Sequence, residues 1–159
     1  EKLYFCKVRS YAKIMKILGF IPARSGSTRL KNKNLKQFLG KPLIYHTIKF
    51  VKKLKLDQVF VSTNSKRIQK IEKNLKIYND YIRPKKLSEK NSQLIDAIFD
   101  GLDWFLLNKK KKFDAVMIFQ PTTPYRDLLD TKKIIDLFRK KRLQSLATVS
   151  KTSDHPQHI

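Results

Sequence analysis

Short runs of consecutive apolar residues alternate along this chain with longer stretches whose apolar residues recur every three or four positions. Leu18-Gly-Phe-Ile-Pro22 reads as a buried first strand ended by proline. From Ala23 to Leu39 the chain is polar and basic and contains Gly26, which predicts a loop. Pro42 stands where a helix begins, and Ile44, Ile48, Val51 and Leu54 follow at helical spacing with lysines between them. Val59-Phe-Val-Ser62 predicts a second buried strand. Asn64 or Ser65 then caps a second helix with an apolar face of Ile68, Ile71 and Leu75.

Ile77 to Ile82 predicts a short strand stopped by Arg83-Pro84, followed by a polar loop from Lys85 to Gln93. Leu94, Ile95, Ile98, Phe99, Leu102, Phe105 and Leu106 form an apolar stripe over more than three helical turns. Ala115-Val-Met-Ile-Phe119 is the clearest strand, and it runs into the loop Gln120-Pro-Thr-Thr-Pro-Tyr-Arg126. Leu128 to Lys140 reads as a further helix and Ser145 to Val149 as a further strand. Strands alternating with helices of this length predict parallel βαβ units, hence an open α/β sheet. Such sheets bind ligands beyond the carboxyl ends of their strands, where both the 23–39 and 120–126 loops emerge.

Composition narrows the class. The chain has 159 residues, 41% of them apolar, which suits a globular domain rather than a disordered one. Its single cysteine, Cys6, excludes an intrachain disulfide framework and a Cys-cluster zinc site, and fits a reducing cytoplasm. No apolar run approaches the length of a membrane span, so no membrane partner is expected.

Charge is the unusual number: 36 Lys and Arg against 13 Asp and Glu leave a formal +23. A nucleic-acid-binding module would use such an excess, but it would need a basic patch with stacking aromatics or a recognition helix. Neither is present, and 28 of the 36 cations are Lys rather than the phosphate-clamping Arg. Most of these lysines fall on the polar faces of expected helices, as solvated residues do. The cations that stand apart are Arg24, Arg29, Lys31, Lys33, Arg83 and Arg126, all in loops at strand ends.

Ile21-Pro-Ala-Arg-Ser-Gly-Ser-Thr-Arg-Leu-Lys-Asn-Lys-Asn34 offers a glycine, small hydroxyls, free backbone N–H groups and four cations after a buried strand. Backbone amides with fixed cations make a site for a multiply charged anion such as a triphosphate. The loop is neither a Walker loop nor a dinucleotide fingerprint. Asp96, Asp100 and Asp103 share one helical face, but opposite the apolar stripe they read as a solvated face rather than a metal site. His46, His155 and His158 are expected in polar surface roles, and Trp104 as a partly buried aromatic at the edge of the stripe.

Ile21-Pro-Ala-Arg-Ser-Gly-Ser, Lys33-Asn34 and Gly40-Lys-Pro-Leu43 resemble the start of the CMP-sialic acid synthetases, the acylneuraminate cytidylyltransferases. Val61-Ser-Thr63, Arg83-Pro84 and Gln120-Pro-Thr-Thr-Pro-Tyr-Arg126 keep the family's order, so the resemblance runs from about Met15 to His155-Pro156. It implies a three-layer, mainly parallel open sheet flanked by helices, of the nucleotide-diphospho-sugar transferase type. It also implies an enzyme that joins CTP to an acidic nine-carbon sugar with Mg²⁺, releasing pyrophosphate, and that works as a cytoplasmic homodimer with no nucleic-acid partner.

By this resemblance Arg24 and Lys33 are the catalytic cations at the triphosphate. Ala23, Ser27, Asn34 and Arg83 surround the cytidine and phosphates, with backbone near Ala23 and Arg83 reading the cytosine edge. Gln120 contacts the sugar, and Thr122, Thr123 and Arg126 line the same loop. Three departures are visible. Thr28 stands where many relatives have Lys, Asn64 replaces an Asp, and Ser88 to Leu94 matches poorly a region usually rich in Asp, Thr and Ser. The family's metal-binding aspartates lie past Ile159, so no metal ligand is assigned here. The resemblance implies that residues 15–159 are a nucleotide-binding α/β domain incomplete at its C-terminal end, with too little of the enzyme to be active alone, and that residues 1–14 are an N-terminal extension of unknown role. A 3-deoxy-octulosonic acid or another acidic sugar is the alternative substrate. Gly-Ser-Thr-Arg-Leu leans toward that group and Gln120-Pro-Thr-Thr-Pro leans away.

Overall fold

A computed structural model describes residues 15–26, 30 and 32–149, in two compact units that divide after Arg126. In the first unit, strands β1 (Ile17–Pro22), β4 (Gln58–Ser62) and β5 (Ala115–Ile118) form a parallel sheet in the order β4-β1-β5. Between β1 and β4 come a hairpin, β2 (Gln37–Phe38) and β3 (Lys41–Pro42), and helix α1 (Leu43–Lys53). Helix α2 (Lys66–Asn74) follows β4, and helix α3 (Leu94–Lys109) precedes β5. The second unit holds helix α4 (Leu128–Lys141). Its N-terminus is capped by Asp127, which accepts from Asp130 N at 2.7 Å.

Alternation along β1 builds the layers, because successive side chains point to opposite faces. Leu18 and Phe20 join Phe60, Ala97, Ile98 and Phe105 in a buried cluster between the sheet and α3. The opposite face belongs to α1: a Cβ on Gly19 would stand 3.0 Å from Val51 Cγ1. Helix, sheet and helix thus give the three-layer α/β arrangement that the sequence implies. Gly101 lets α3 come close, since a Cβ there would stand 2.7 Å from Phe60 Cε1. Phe60 is the centre of the packing, with ring centroids 4.8 Å from Tyr81, 5.0 Å from Phe105 and 6.0 Å from Trp104. Trp104 is the partly buried edge aromatic expected of it.

Two expected strands are absent. Residues 77–82 are extended, and their burial alternates from Ile77 to Arg83, but they form no ladder with β4. Side chains make the junction instead: Asn79 Nδ2 donates to Val59 O at 3.3 Å and Gln69 Nε2 to Tyr81 O at 3.0 Å. Residues 145–149 are mostly exposed and pair with no strand among the described residues. A strand needs a neighbour to hold its backbone groups. Conversely, the β2–β3 hairpin is not expected from the sequence: β2 falls within the predicted 23–39 loop and β3 just beyond it, up to the predicted start of α1. Its turn, Leu39-Gly40, has positive φ at both residues (46° and 72°), as a two-residue hairpin loop requires. Among the described residues no helix is long and apolar enough to cross a membrane. Residues 1–14, Ser27 to Arg29, Lys31, His155 and His158 lie outside the described residues.

Helix α2 carries a buried carboxyl. Glu72 is 3% exposed, and burial pushes its pKa up to about 8 against the opposing hydrogen bond of Asn79. The folded chain therefore keeps a proton that the unfolded chain releases near the ordinary value of 4.5. Stability falls as pH rises between these two values and levels off above the upper one. Glu72→Gln is expected to remove this slope. Urea unfolding at pH 5 and pH 8.5 should show the variant gaining on the parent by about 1 kcal/mol or more at the higher pH. Parallel pH profiles for the two proteins would contradict the assignment.

Candidate nucleotide site

The site is built where β1 and β4 end. Ala23 N donates to Ser62 O at 2.9 Å, and Thr63 Oγ1 donates to Ala23 O at 2.7 Å. Ser25 N donates to Asn64 Oδ1 at 2.8 Å. Asn64 therefore ties the loop after β1 to the end of β4 rather than capping α2. Ser65 is the N-cap of α2, with no side-chain cap bond. Arg83 N donates to Thr63 O at 2.9 Å, which brings the end of the 77–83 segment to the same place.

Beyond these ends lies a cavity of about 470 Å³, lined by Pro22, Arg24, Leu30, Lys33, Asn34, Arg83, Ser92, Gln93, Leu94, Gln120, Pro121 and Thr122. Among the described residues its charged lining groups are Arg24, Lys33 and Arg83, all cations, with no carboxylate. The N-terminus of α3 opens at the same cavity through Gln93 and Leu94, and no side-chain hydrogen bond caps it. Its N–H groups add partial positive charge.

Each cation is held differently. Arg24 Nη1 donates to Ser88 O at 3.2 Å and also to Glu89 O, so the 88–89 backbone fixes its direction. Lys33 begins a 3₁₀ turn, Lys33–Leu35, which lifts it from the loop. The next residue, Asn34, is 6% exposed and donates Nδ2 to Arg24 O at 3.3 Å. Asn34 Oδ1 is a buried acceptor at the cavity with no hydrogen-bond partner among the described residues. Arg83 is 4% exposed; Nε donates to Ser62 Oγ at 2.8 Å and Nη2 to Ser62 O at 2.9 Å. Burial lowers the Arg83 pKa first, and the nearby Arg24 charge lowers it further. Two guanidiniums held near each other without an intervening anion are a preorganised anion site.

Six of the expected site residues meet here: Arg24, Lys33, Asn34, Arg83, Gln120 and Thr122. Ala23 does not line the cavity. It is fully buried, its N–H donating to Ser62 O and its carbonyl accepting from Thr63 Oγ1. Arg126 is absent from the lining as well. Its guanidinium lies 5.8 Å from the ring centroids of both Phe50 and Phe119 and donates from Nη2 to Gln120 O. It braces the 120–126 loop from behind, and burial lowers its pKa. Ser27 lies outside the described residues.

Ser92 and Gln93 line the cavity although they belong to the stretch that matched poorly. The signal available for them was position: they precede the first turn of a helix that ends at a strand-end cavity. Asp100 also departs from expectation. It is half-buried and accepts a hydrogen bond from Tyr81 Oη, whereas Asp96 and Asp103 are exposed. His46 is tied to Phe38 O through Nε2 at 2.6 Å and packs edge-on against the Phe38 ring. Among the described residues no group of three or more His, Cys, Asp or Glu is placed to hold a metal ion. The donor set of this cavity, cationic and neutral, does not fit Mg²⁺ by itself.

A sequence model of the family described as cytidylyltransferase matches residues 18–101, more than half of the chain and most of this lining. The chain belongs to the cytidylyltransferase family. This cytidylyltransferase chain is 34% identical over 143 residues to the CMP-N,N'-diacetyllegionaminic acid synthase of Legionella pneumophila, covering 89% of this chain and 61% of that protein. It is 27% identical over 146 residues to the N-acylneuraminate cytidylyltransferase of Escherichia coli, covering 91% of this chain and 33% of that protein. The chain thus spans between about a third and three-fifths of these relatives. In fold it is similar to a solved CMP:2-keto-3-deoxy-manno-octonic acid synthetase complexed with CTP, with TM-score 0.64, 22% identity, and coverage of 80% of this chain and 48% of that one.

Arg83 is a buried charge whose two acceptor atoms on Ser62 each keep a second contact, to Ala23 N and to Tyr81. Replacing it with an apolar chain of similar length leaves neither acceptor stranded and removes a buried charge that contacts no carboxylate directly among the described residues. Arg83→Met is therefore expected to match or exceed the parent in urea unfolding, by up to about 1 kcal/mol. A loss above about 2 kcal/mol would show that Arg83 is held for stability rather than for a ligand.

Proposed function

We propose that this chain carries the nucleotide half of an enzyme that transfers CMP from CTP to an acidic nonulosonic sugar, releasing pyrophosphate. One observation carries the reading: Arg24, Lys33 and Arg83 converge on a cavity with no carboxylate in its lining, beside the open N-terminus of α3. Such a lining suits a triphosphate, which brings the negative charge that the site lacks. The sugar is inferred from the relatives, a CMP-N,N'-diacetyllegionaminic acid synthase and an N-acylneuraminate cytidylyltransferase.

In this reaction the anomeric hydroxyl of the sugar attacks the α-phosphorus, losing its proton. The bond from the α-phosphorus to the bridging oxygen breaks, and pyrophosphate leaves with that electron pair. Catalysis of this type is mainly positioning and neutralisation of phosphate charge. Arg24 and Lys33 stabilise the charge growing on pyrophosphate, and the hydrogen bonds of Arg24 to the 88–89 backbone mean that it needs little reorganisation. Asn34 Oδ1 accepts from a nucleotide N–H or hydroxyl. Arg83 lies at the base and phosphates. Gln120 and Thr122 face the sugar from the β5 side, and Arg126 serves the sugar by holding their loop. Ser27 belongs to the nucleotide side of the same proposal. Mg²⁺, a homodimer and a cytoplasmic location complete the reading on the family resemblance, and no step above passes through a metal.

Titrating CTP, ATP and GTP against the chain tests this. CTP is expected to bind tightest, and Lys33→Ala to weaken it roughly tenfold or more, the loss of a charge-assisted contact. Equal or absent binding of the three nucleotides would contradict the proposal.

A further inference from the structure

A line of hydroxyl groups connects Arg83 to helix α3. Arg83 Nε donates to Ser62 Oγ at 2.8 Å, Ser62 Oγ donates to Tyr81 Oη at 3.5 Å, and Tyr81 Oη donates to Asp100 Oδ2. Arg83 and Tyr81 are each 4% exposed, Ser62 is fully buried, and Asp100 stands half-buried at the end of the line. An ionised carboxylate only accepts, and a guanidinium only donates. With these two ends fixed, each hydroxyl has a single proton direction that satisfies its neighbours: every donor points from the cation toward the anion.

The arrangement answers a conflict at a buried, ligand-binding arginine. A cation withdrawn from water needs a counter-charge. A carboxylate paired directly with the guanidinium would occupy the donors that an anionic ligand must use. Here Nε and Nη2 are held by Ser62, and Nη1 has no acceptor among the described residues. Asp100 still acts favourably on the Arg83 charge across the relay. Packing alone does not need the Tyr81 hydroxyl, because the ring is already held against Phe60 and Trp104 at 4.8 and 5.9 Å.

We infer that Tyr81 and Asp100 are positioning residues for nucleotide binding: through Ser62 they fix the Arg83 guanidinium and supply its counter-charge without covering its free edge. This inference rests on the CTP reading of the same cavity. Neither residue touches the cavity, and both act through Arg83.

The test is a double-mutant cycle on CTP affinity, measured by calorimetry with the chain and its Tyr81→Phe, Asp100→Asn and Arg83→Met variants. Tyr81→Phe keeps the ring and is expected to weaken CTP about fivefold, the worth of one buried hydrogen bond. In the Arg83→Met background the same change should cost nothing further, since the group it acts through is gone. The Arg83 Nε–H resonance should move in both Tyr81→Phe and Asp100→Asn. If Tyr81→Phe fails to fold, the cycle with Asp100→Asn decides, and the same coupling is expected. Unchanged CTP affinity, or a loss that persists in full without Arg83, would overturn the inference. If the parent chain binds no CTP, the reading of the cavity falls first, a result distinct from a failed cycle.

Discussion

The carbonyl of Ser62 is the point on which the site depends. It accepts from Ala23 N and from Arg83 Nη2, both at 2.9 Å, so one peptide group at the end of β4 fixes the exit of β1 and the guanidinium at the cavity. The next residue repeats the device: Thr63 donates its hydroxyl to Ala23 O and accepts Arg83 N. Three chain segments distant in sequence are locked by two consecutive residues. Parallel pairing makes this possible, since β1 and β4 end side by side, with Pro22 opposite Ser62. The loop that follows β1 is then aimed by hydrogen bonds rather than by packing.

The aromatic cluster beneath supports that lock. Phe60, two residues before Ser62 on the same strand, is gripped by Tyr81, Trp104 and Phe105. The ring that packs on Phe60 also presents the hydroxyl that reaches Ser62 and Asp100. Core packing and the polar relay are therefore two uses of one tyrosine. A net charge of +23 looks like the dominant electrostatic fact of this chain, yet among the described residues the cations lining the cavity are Arg24, Lys33 and Arg83. Their effect comes from confinement and from the absence of carboxylates in the lining, not from the total.

Much of this was legible in the sequence where period and burial coincide. The runs at 18–22, 59–62 and 115–119 and the buried face of α1 follow the apolar pattern of the sequence, whereas the stripe on α3 does so only in part: Ile98 and Phe105 are buried beside Ala97 and Gly101, and Ile95, Phe99 and Leu106 are exposed. Residues 77–83 show the limit. Their alternating burial is that of a strand, but whether the backbone joins the ladder depends on how closely a neighbour approaches, which no local pattern encodes. Residues 145–149 lack a partner altogether. At the site, Arg24, Lys33, Asn34 and Arg83 were readable as loop cations and polar residues at strand ends. Ser92 and Gln93 were not, because they enter the cavity only through the placement of α3. Arg126 shows the converse: a loop arginine with the right spacing, directed by two aromatic rings to the back of its own loop. Asp100 looked solvated because one helical face was considered without the segment that packs over it.

The central claim is that the carboxyl ends of β1, β4 and β5 hold a nucleoside triphosphate in a cavity lined by Arg24, Lys33 and Arg83. A crystal structure of this chain soaked with CTP tests it most directly. Phosphate oxygens are expected within hydrogen-bond distance of Arg24 and Lys33, with a nucleotide donor on Asn34 Oδ1. Nucleotide bound elsewhere on the surface, with the cavity left empty, would contradict it.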